Sequence, residues 1–126
     1  MKGASAYFKG GIVPYNTSIK TKVLGVDEAI VKKYSVVSTQ VAEEMAQKTA
    51  AAFDSNFSVA VTGNAGPTKG DSDAEVGTVC IAIATPQKLV SSEFLFSNNR
   101  IRTVGKAINK ALEMLQNEIL EYLDNK

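Results

Sequence analysis

The sequence predicts an α/β protein, a three-layer α/β/α sandwich built on a mixed sheet. Three observations lead there. Two long segments, from Ser38 to about Phe53 and from about Asn99 to Leu123, place apolar residues at helical spacing. Short runs rich in β-branched residues, such as Phe57–Thr62 and Thr78–Ala84, read as strands. Helical segments also separate the first expected strand from the others, the pattern of a sheet covered by helices. With 126 residues, 44% of them hydrophobic and 21% charged, the chain can bury one core and is too short for two. No repeat, low-complexity tract or linker interrupts it, so one domain is expected over residues 1–126.

Gly10–Tyr15 reads as a short strand, and Pro14, which has no N–H to give a ladder, marks its end or an edge. Asn16 or Thr17 can cap a short helix that stops at Gly25. Asp27 can cap a second short helix through Lys33. Ser38 opens a longer one, on which Val41, Ala42, Met45, Ala46, Thr49, Ala50 and Phe53 share a face. That stripe reads as core.

Phe57–Thr62 reads as a largely buried strand with Thr62 at its carboxyl end, where open α/β sheets tend to bind ligands. Residues 63–77 are small and polar and show no period. Thr78–Ala84 and Leu89–Phe96 follow as two strands, and the joint Thr85-Pro86-Gln87-Lys88 is short enough for an antiparallel hairpin. Asn98 or Asn99 can cap the last helix, whose apolar stripe is Val104, Ala107, Ile108, Ala111, Leu112, Leu115, Ile119 and Leu123.

Composition removes whole classes of function. Fourteen basic against 13 acidic residues leave a net charge of +1, so neither nucleic acid nor an anionic membrane is an expected partner. No apolar stretch approaches the ~20 residues of a membrane span, and the first residues lack a signal-peptide core. Cys80, the single cysteine, excludes an internal disulfide and a cysteine-cluster metal site. It reads as a small core residue, and an unpaired thiol fits a reducing, cytoplasmic compartment. The chain has no histidine. A Ser-His-Asp triad, a Cys-His pair and a histidine-ligated zinc are therefore impossible, and any catalytic base has to be Lys, Asp, Glu or Tyr.

The stretch Gly63-Asn64-Ala65-Gly66-Pro67-Thr68-Lys69-Gly70 follows the expected buried strand. Its N–H groups could cradle a phosphate or an oxyanion. It departs from the P-loop, because Lys69 is followed by Gly70 and the glycine spacing is wrong. A plain connecting loop is an equal reading, although its length tilts toward function. Asp71, Asp73 and Glu75 alternate but lack the rest of a calcium loop, so a solvated acidic loop and no metal are expected. Read singly, Ser5, Tyr15 and Lys20 are surface residues.

Together the motifs say more. Gly3-Ala4-Ser5-Ala6-Tyr7-Phe8-Lys9-Gly10-Gly11-Ile12-Val13-Pro14-Tyr15-Asn16 resembles the "GSSxxFxGGxVxYSN" segment of the competence/damage-inducible protein (CinA) C-terminal domain family. Lys20 and Leu24-Gly25-Val26 continue it, and Val36-Val37-Ser38 with Val41–Ala46 resembles its "AVSxxVAxxMA" helix start. Val61–Pro67 is similar to "VTGIAGP", Val76–Val79 to "VGTV", and Phe96–Arg100 to "FxGDR". The matches come in family order and cover nearly the whole chain.

The resemblance implies a three-layer α/β/α fold, self-association into a homo-oligomer, and nicotinamide-nucleotide amidase activity. In that reaction nicotinamide mononucleotide and water give nicotinate mononucleotide and ammonia, with no cofactor and no metal. By position Ser5 matches the nucleophile, and Tyr15 and Lys20 match the residues that assist it. Thr62 matches a pocket-lining residue, and Gly63, Asn64, Ala65 and Gly66 follow it as substrate contacts. Arg100 matches a basic residue near the small-molecule nucleotide. The chemistry is coherent if burial lowers the Lys20 pKa from ~10.4 toward ~7–8, so that it can accept the Ser5 proton.

Two departures shape the expectations. Ala4 stands where the family commonly has Ser, and Asn64 replaces an apolar residue. The family pattern also has an earlier strand and helix with an "ESCTGG" segment, whereas here Met1-Lys2 directly precede Gly3. The chain is therefore expected to be N-terminally truncated relative to the family, with an uncovered edge or apolar face and turnover that depends on the missing element. The alternative is a truncated, non-catalytic domain that binds a nucleotide or only itself.

Overall fold

Asp27 and Ser38 start two helices, as the sequence predicts. The computed structural model describes residues 7–14, 17–64, 75–96 and 100–125. Helix α1 spans Thr17–Lys22, α2 Glu28–Tyr34 and α3 Thr39–Phe53. The Asp27 carboxylate accepts from the Ala29 N–H, and the Ser38 hydroxyl accepts from the Val41 N–H. Each cap satisfies a donor that the first helical turn leaves without a partner. After α1 the chain turns through Gly25, whose φ of 86° lies where side chains with a Cβ are strained.

Strands β1 (Ser58–Gly63), β2 (Thr78–Ala84) and β3 (Leu89–Leu95) form a sheet in the order β1-β2-β3. Helix α4 (Arg100–Asp124) follows. The Thr85–Lys88 joint makes the expected hairpin, closed by the Thr85 N–H donating to the Lys88 carbonyl. Pairing sets Ser58, Ala60 and Thr62 opposite Ala84, Ala82 and Cys80, on the face that α3 covers. The alternate residues Val59, Val61 and Gly63 lie opposite Ile83, Ile81 and Val79, on the face toward α4. With strands on both edges and a helix on each face, every residue of β2 is buried. The molecule is thus the expected three-layer sandwich, and Cys80 is the core residue expected.

The sheet differs in one respect. All pairings among the described strands are antiparallel, not mixed. A parallel neighbour needs a strand ahead of the crossover helices. Residues 10–14, part of the expected first strand, form none. Gly10 has a φ of 147°, and a Cβ there would come within 3.1 Å of the Phe53 ring, while Lys9 donates to the Asp54 carbonyl. These contacts tie the segment to the end of α3 instead of to a sheet edge, and Val13 stays 87% exposed.

Helix α4 buries only part of its apolar stripe. Thr103, Ala107 and Ala111 are the residues buried against the sheet. From the expected apolar stripe, Val104, Ile108, Leu112 and Leu123 are 44 to 59% exposed. The small residues on the true inner face let the helix approach the sheet closely, and this turns part of the large apolar stripe to the side. The C-terminal half of α4 is held by Lys88, whose ammonium lies 2.7 Å from Glu121 and 3.3 Å from Glu118. An edge-on contact between Phe57 and Tyr122 adds to it.

Candidate functional site

Among the described residues, Lys20 is the only buried Lys, Arg, Asp or Glu. It lies near the end of α1, is 8% exposed, and donates to the Pro14 carbonyl at 3.0 Å. Burial pushes its pKa below the usual 10.5, since removing water disfavours the ammonium. A carbonyl partner offers no full negative charge to restore it. Leu24 and Val26, just beyond α1, anchor this part of the chain in the core on the α3 side of the sheet.

Thr62 sits on the same side. Its hydroxyl is buried and donates to the Val36 carbonyl at 2.9 Å. Among the described residues, the hydrogen bonds of Lys20 and Thr62 go to backbone carbonyls rather than to each other. Val36 belongs to the turn between α2 and α3. Within it Ser35 has a φ of 78° and a ψ of 156°, a region costly for a residue with a Cβ. The Ser38 hydroxyl donates to the Ser35 carbonyl while capping α3, so the turn is pinned from both ends. Neither carbonyl acceptor could be found from sequence, because backbone groups carry no residue signal. Ser35 offered none either, since positive φ is announced by Gly or Asn.

The loop after β1 is fixed at its neck. The Asn64 N–H donates to the Thr78 carbonyl at 2.8 Å, and the Gly77 N–H donates to the Asn64 carbonyl at 2.6 Å. Asn64 is buried. Gly63 is required for space: a Cβ would come within 3.1 Å of a Val79 methyl and 3.2 Å of the Thr78 carbonyl. Ala65 and Gly66 lie outside the described residues, as do Ser5, Tyr15, Asp71 and Asp73.

Arg100 is the first residue of α4 and is exposed. Register puts it at the same sheet end as Thr62, Gly63 and Asn64, because Gly63 pairs with Val79 and Val79 with Phe94. The amino end of α3 meets this end too, through the Thr62–Val36 bond. Two helix amino termini therefore converge on the carboxyl end of β1, a setting in which positive dipole ends favour an anion. No group of three or more His, Cys, Asp or Glu among the described residues could hold a metal ion. No helix among them is long and apolar enough to cross a membrane.

A groove of about 380 Å³ opens on the other side of the sheet, lined by Val61, Gly63, Val104, Ile108 and Leu112 among others. Its apolar lining suits neither a phosphate nor a carboxamide. The buried polar side chains on the α3 side, Lys20 and Thr62, are the better candidates for chemistry.

The CinA C-terminal domain family model matches residues 1–119. The chain belongs to the CinA C-terminal domain family. A CinA-like protein of Flavobacterium psychrophilum is 54% identical over 121 residues, covering 96% of this chain and 29% of that protein. The nicotinamide-nucleotide amidohydrolase PncC of Shewanella oneidensis is 38% identical over 121 residues, covering 94% of this chain and 28% of that one. The chain thus spans under a third of the length of these relatives. The CinA fold also matches in solved structures. The competence/damage-inducible protein CihA of Agrobacterium tumefaciens superposes with a TM-score of 0.86 at 32% identity, over 93% of this chain and 72% of that one. The competence or damage-inducible protein of Enterobacter asburiae gives 0.87 at 29% identity, over 93% and 74%.

Proposed function

We propose that this CinA domain hydrolyses the carboxamide of nicotinamide mononucleotide, with Ser5 as nucleophile and Lys20 as base. The observation that carries the reading is the buried Lys20, whose pKa is lowered by desolvation in a chain without histidine. The name of the Shewanella oneidensis relative supports the substrate.

In the proposed reaction neutral Lys20 takes the Ser5 hydroxyl proton, directly or through Tyr15. The Ser5 oxygen attacks the carboxamide carbon, and N–H groups of residues 63–66 stabilise the oxyanion. The C–N bond breaks, the proton from Lys20 leaves with ammonia, and an ester to Ser5 remains. Water, deprotonated by the same lysine, hydrolyses that ester to the carboxylate. Thr62 supports the pocket through its bond to Val36, and Arg100 takes the phosphate through its guanidinium fork and the start of α4. The reaction needs no cofactor. The reading places the enzyme in a reducing cytoplasm, where buried Cys80, its thiol pushed up to about 12 mainly by burial, stays inert.

The test is product analysis. Incubation with nicotinamide mononucleotide and EDTA should release ammonia and nicotinate mononucleotide in equal amounts. Turnover that EDTA abolishes and a divalent ion restores would remove Lys20 from the role of base. A second reading, a domain that binds a nucleotide or itself without turnover, is favoured by the exposed apolar side of α4. Nucleotide binding with no ammonia would select it.

A further inference from the structure

We propose that Pro14 is a positioning residue for the reaction: its carbonyl holds one N–H of neutral Lys20 and so aims the amine lone pair. This rests on the reading of Lys20 as base and adds the group that orients it.

A base needs aim as well as a suitable pKa. A misplacement of about 1 Å can cost on the order of a hundredfold in rate. A neutral amine on a flexible four-carbon stem has one lone pair and no preferred direction for it. Lys20 is tethered at both ends. Its backbone carbonyl accepts from the Val26 N–H at 2.9 Å, and Val26 is a core residue. Its Nζ donates to the Pro14 carbonyl at 3.0 Å, and the residue is only 8% exposed. With one N–H committed to that carbonyl, the lone pair is confined to directions away from Pro14.

The acceptor suits the task. A carboxylate would orient the amine as well, but its charge would favour the ammonium and keep the proton on the base. Among the described residues Lys20 takes part in no ion pair. A carbonyl gives direction without a full negative charge, so orientation and desolvation do not oppose each other.

Pro14 is also a stiff support for that carbonyl. Residues 10–14 have no strand ladder to hold them, and Val13 is 87% exposed. The segment is anchored further back, by Ile12 against the core on the α3 side and by Lys9 donating to the Asp54 carbonyl. Past that anchor, stiffness comes from the proline ring. It fixes φ at about −65° and restricts Val13 to extended backbone. Another residue at position 14 would keep a carbonyl and lose its direction. The family-like segment leaves position 14 unspecified, so the motif does not announce this role.

The test compares wild type, Pro14→Gly and Pro14→Ala in ammonia release from nicotinamide mononucleotide across pH, with circular dichroism to confirm folding. Pro14→Gly should lower kcat roughly tenfold to a hundredfold and leave KM nearly unchanged. Pro14→Ala should lose less, and it carries the same comparison should the glycine variant unfold. The deficit should persist above the Lys20 pKa, where the lysine is neutral in every variant, because aim and not protonation is lost. A deficit that vanishes there overturns the proposal, and so does a folded Pro14→Gly protein with wild-type kcat. A second readout needs no turnover. In carbon-13 lysine-labelled protein, the two Cε hydrogens of a held Lys20 should resonate apart in wild type and merge in Pro14→Gly. Merged signals in wild type, or equal separation in both proteins, overturn the proposal too. If wild type releases no ammonia, the amidase reading fails, and the spectra still decide whether Pro14 holds the lysine.

Discussion

The two faces of the sheet are built to different standards. On the α3 face Val41, Ala42 and Ala46 are fully buried, and the polar groups that enter the core are satisfied at backbone carbonyls. Lys20 reaches Pro14, Thr62 reaches Val36, and the Ser58 hydroxyl reaches Ala46. On the α4 face the core is narrower, with Ala107 and Ala111 supplying the helix's buried apolar side chains, and the larger ones beside them face outward. Desolvated, individually satisfied polar groups are where pKa values move and chemistry becomes possible. A half-covered apolar flank has no such groups and favours association.

Breaking the proposed chemistry should have the largest effect. Ser5→Ala should lower kcat on the order of 10³- to 10⁶-fold, as loss of other catalytic nucleophiles does, with little change in melting temperature. Retention of more than about a tenth of wild-type turnover would exclude Ser5 as nucleophile.

Arg100→Ala should come next. Removing a charge-assisted contact to phosphate should weaken kcat/KM for nicotinamide mononucleotide roughly tenfold to a hundredfold, or about 1.5–3 kcal/mol. Nicotinamide riboside, which lacks the phosphate, should be a poor substrate for both proteins and equally so. Parallel losses on the two substrates would show that Arg100 acts elsewhere.

Stability should separate fully buried positions from the open flank. Ile81 is fully buried in the central strand, so Ile81→Ala should cost about 2–5 kcal/mol. Leu112, 59% exposed, should cost within about 0.5 kcal/mol on Leu112→Ser, read by denaturant midpoint at concentrations too low for self-association. Equal costs would mean that the flank is covered in the monomer.

How much of this was legible beforehand follows the same division. The caps at Asp27 and Ser38, the α3 stripe and the hairpin were readable, because local hydrogen bonding and period decide them. The strand at Gly10–Tyr15 was misread, because a strand needs a partner and β-branched residues do not reveal one. The α4 stripe was readable, but which of its residues face the sheet was not. Period shows that a helix has an apolar side, but Thr103 and the alanines won the inner face through close packing, which one sequence does not display. At the candidate site, the family-like motifs pointed to Lys20 and Thr62. Their burial and their carbonyl partners came only from the fold.

A subtler consequence concerns pH. The folded-state pKa of Lys20 is below the 10.5 of an exposed lysine. Between those two values the unfolded chain binds more protons than the native one, so stability rises with pH there. Below the folded pKa lysine is charged in both states and its burial is a constant cost. Lys20→Met should therefore be more stabilising near neutrality than at high pH, and thermal melts across that range would check it. A gap that widens with pH would contradict the desolvation of Lys20.

The most direct measurement is the pH dependence of ammonia release from nicotinamide mononucleotide, in EDTA, by wild type and Lys20→Arg. The account predicts that wild-type turnover rises with pH through a pKa below 10.5. Lys20→Arg should fold and stay inactive at every pH, because arginine does not give up its proton. A folded Lys20→Arg protein that releases ammonia at the wild-type rate would contradict the assignment of the base. So would wild-type activity that shows no rise with pH.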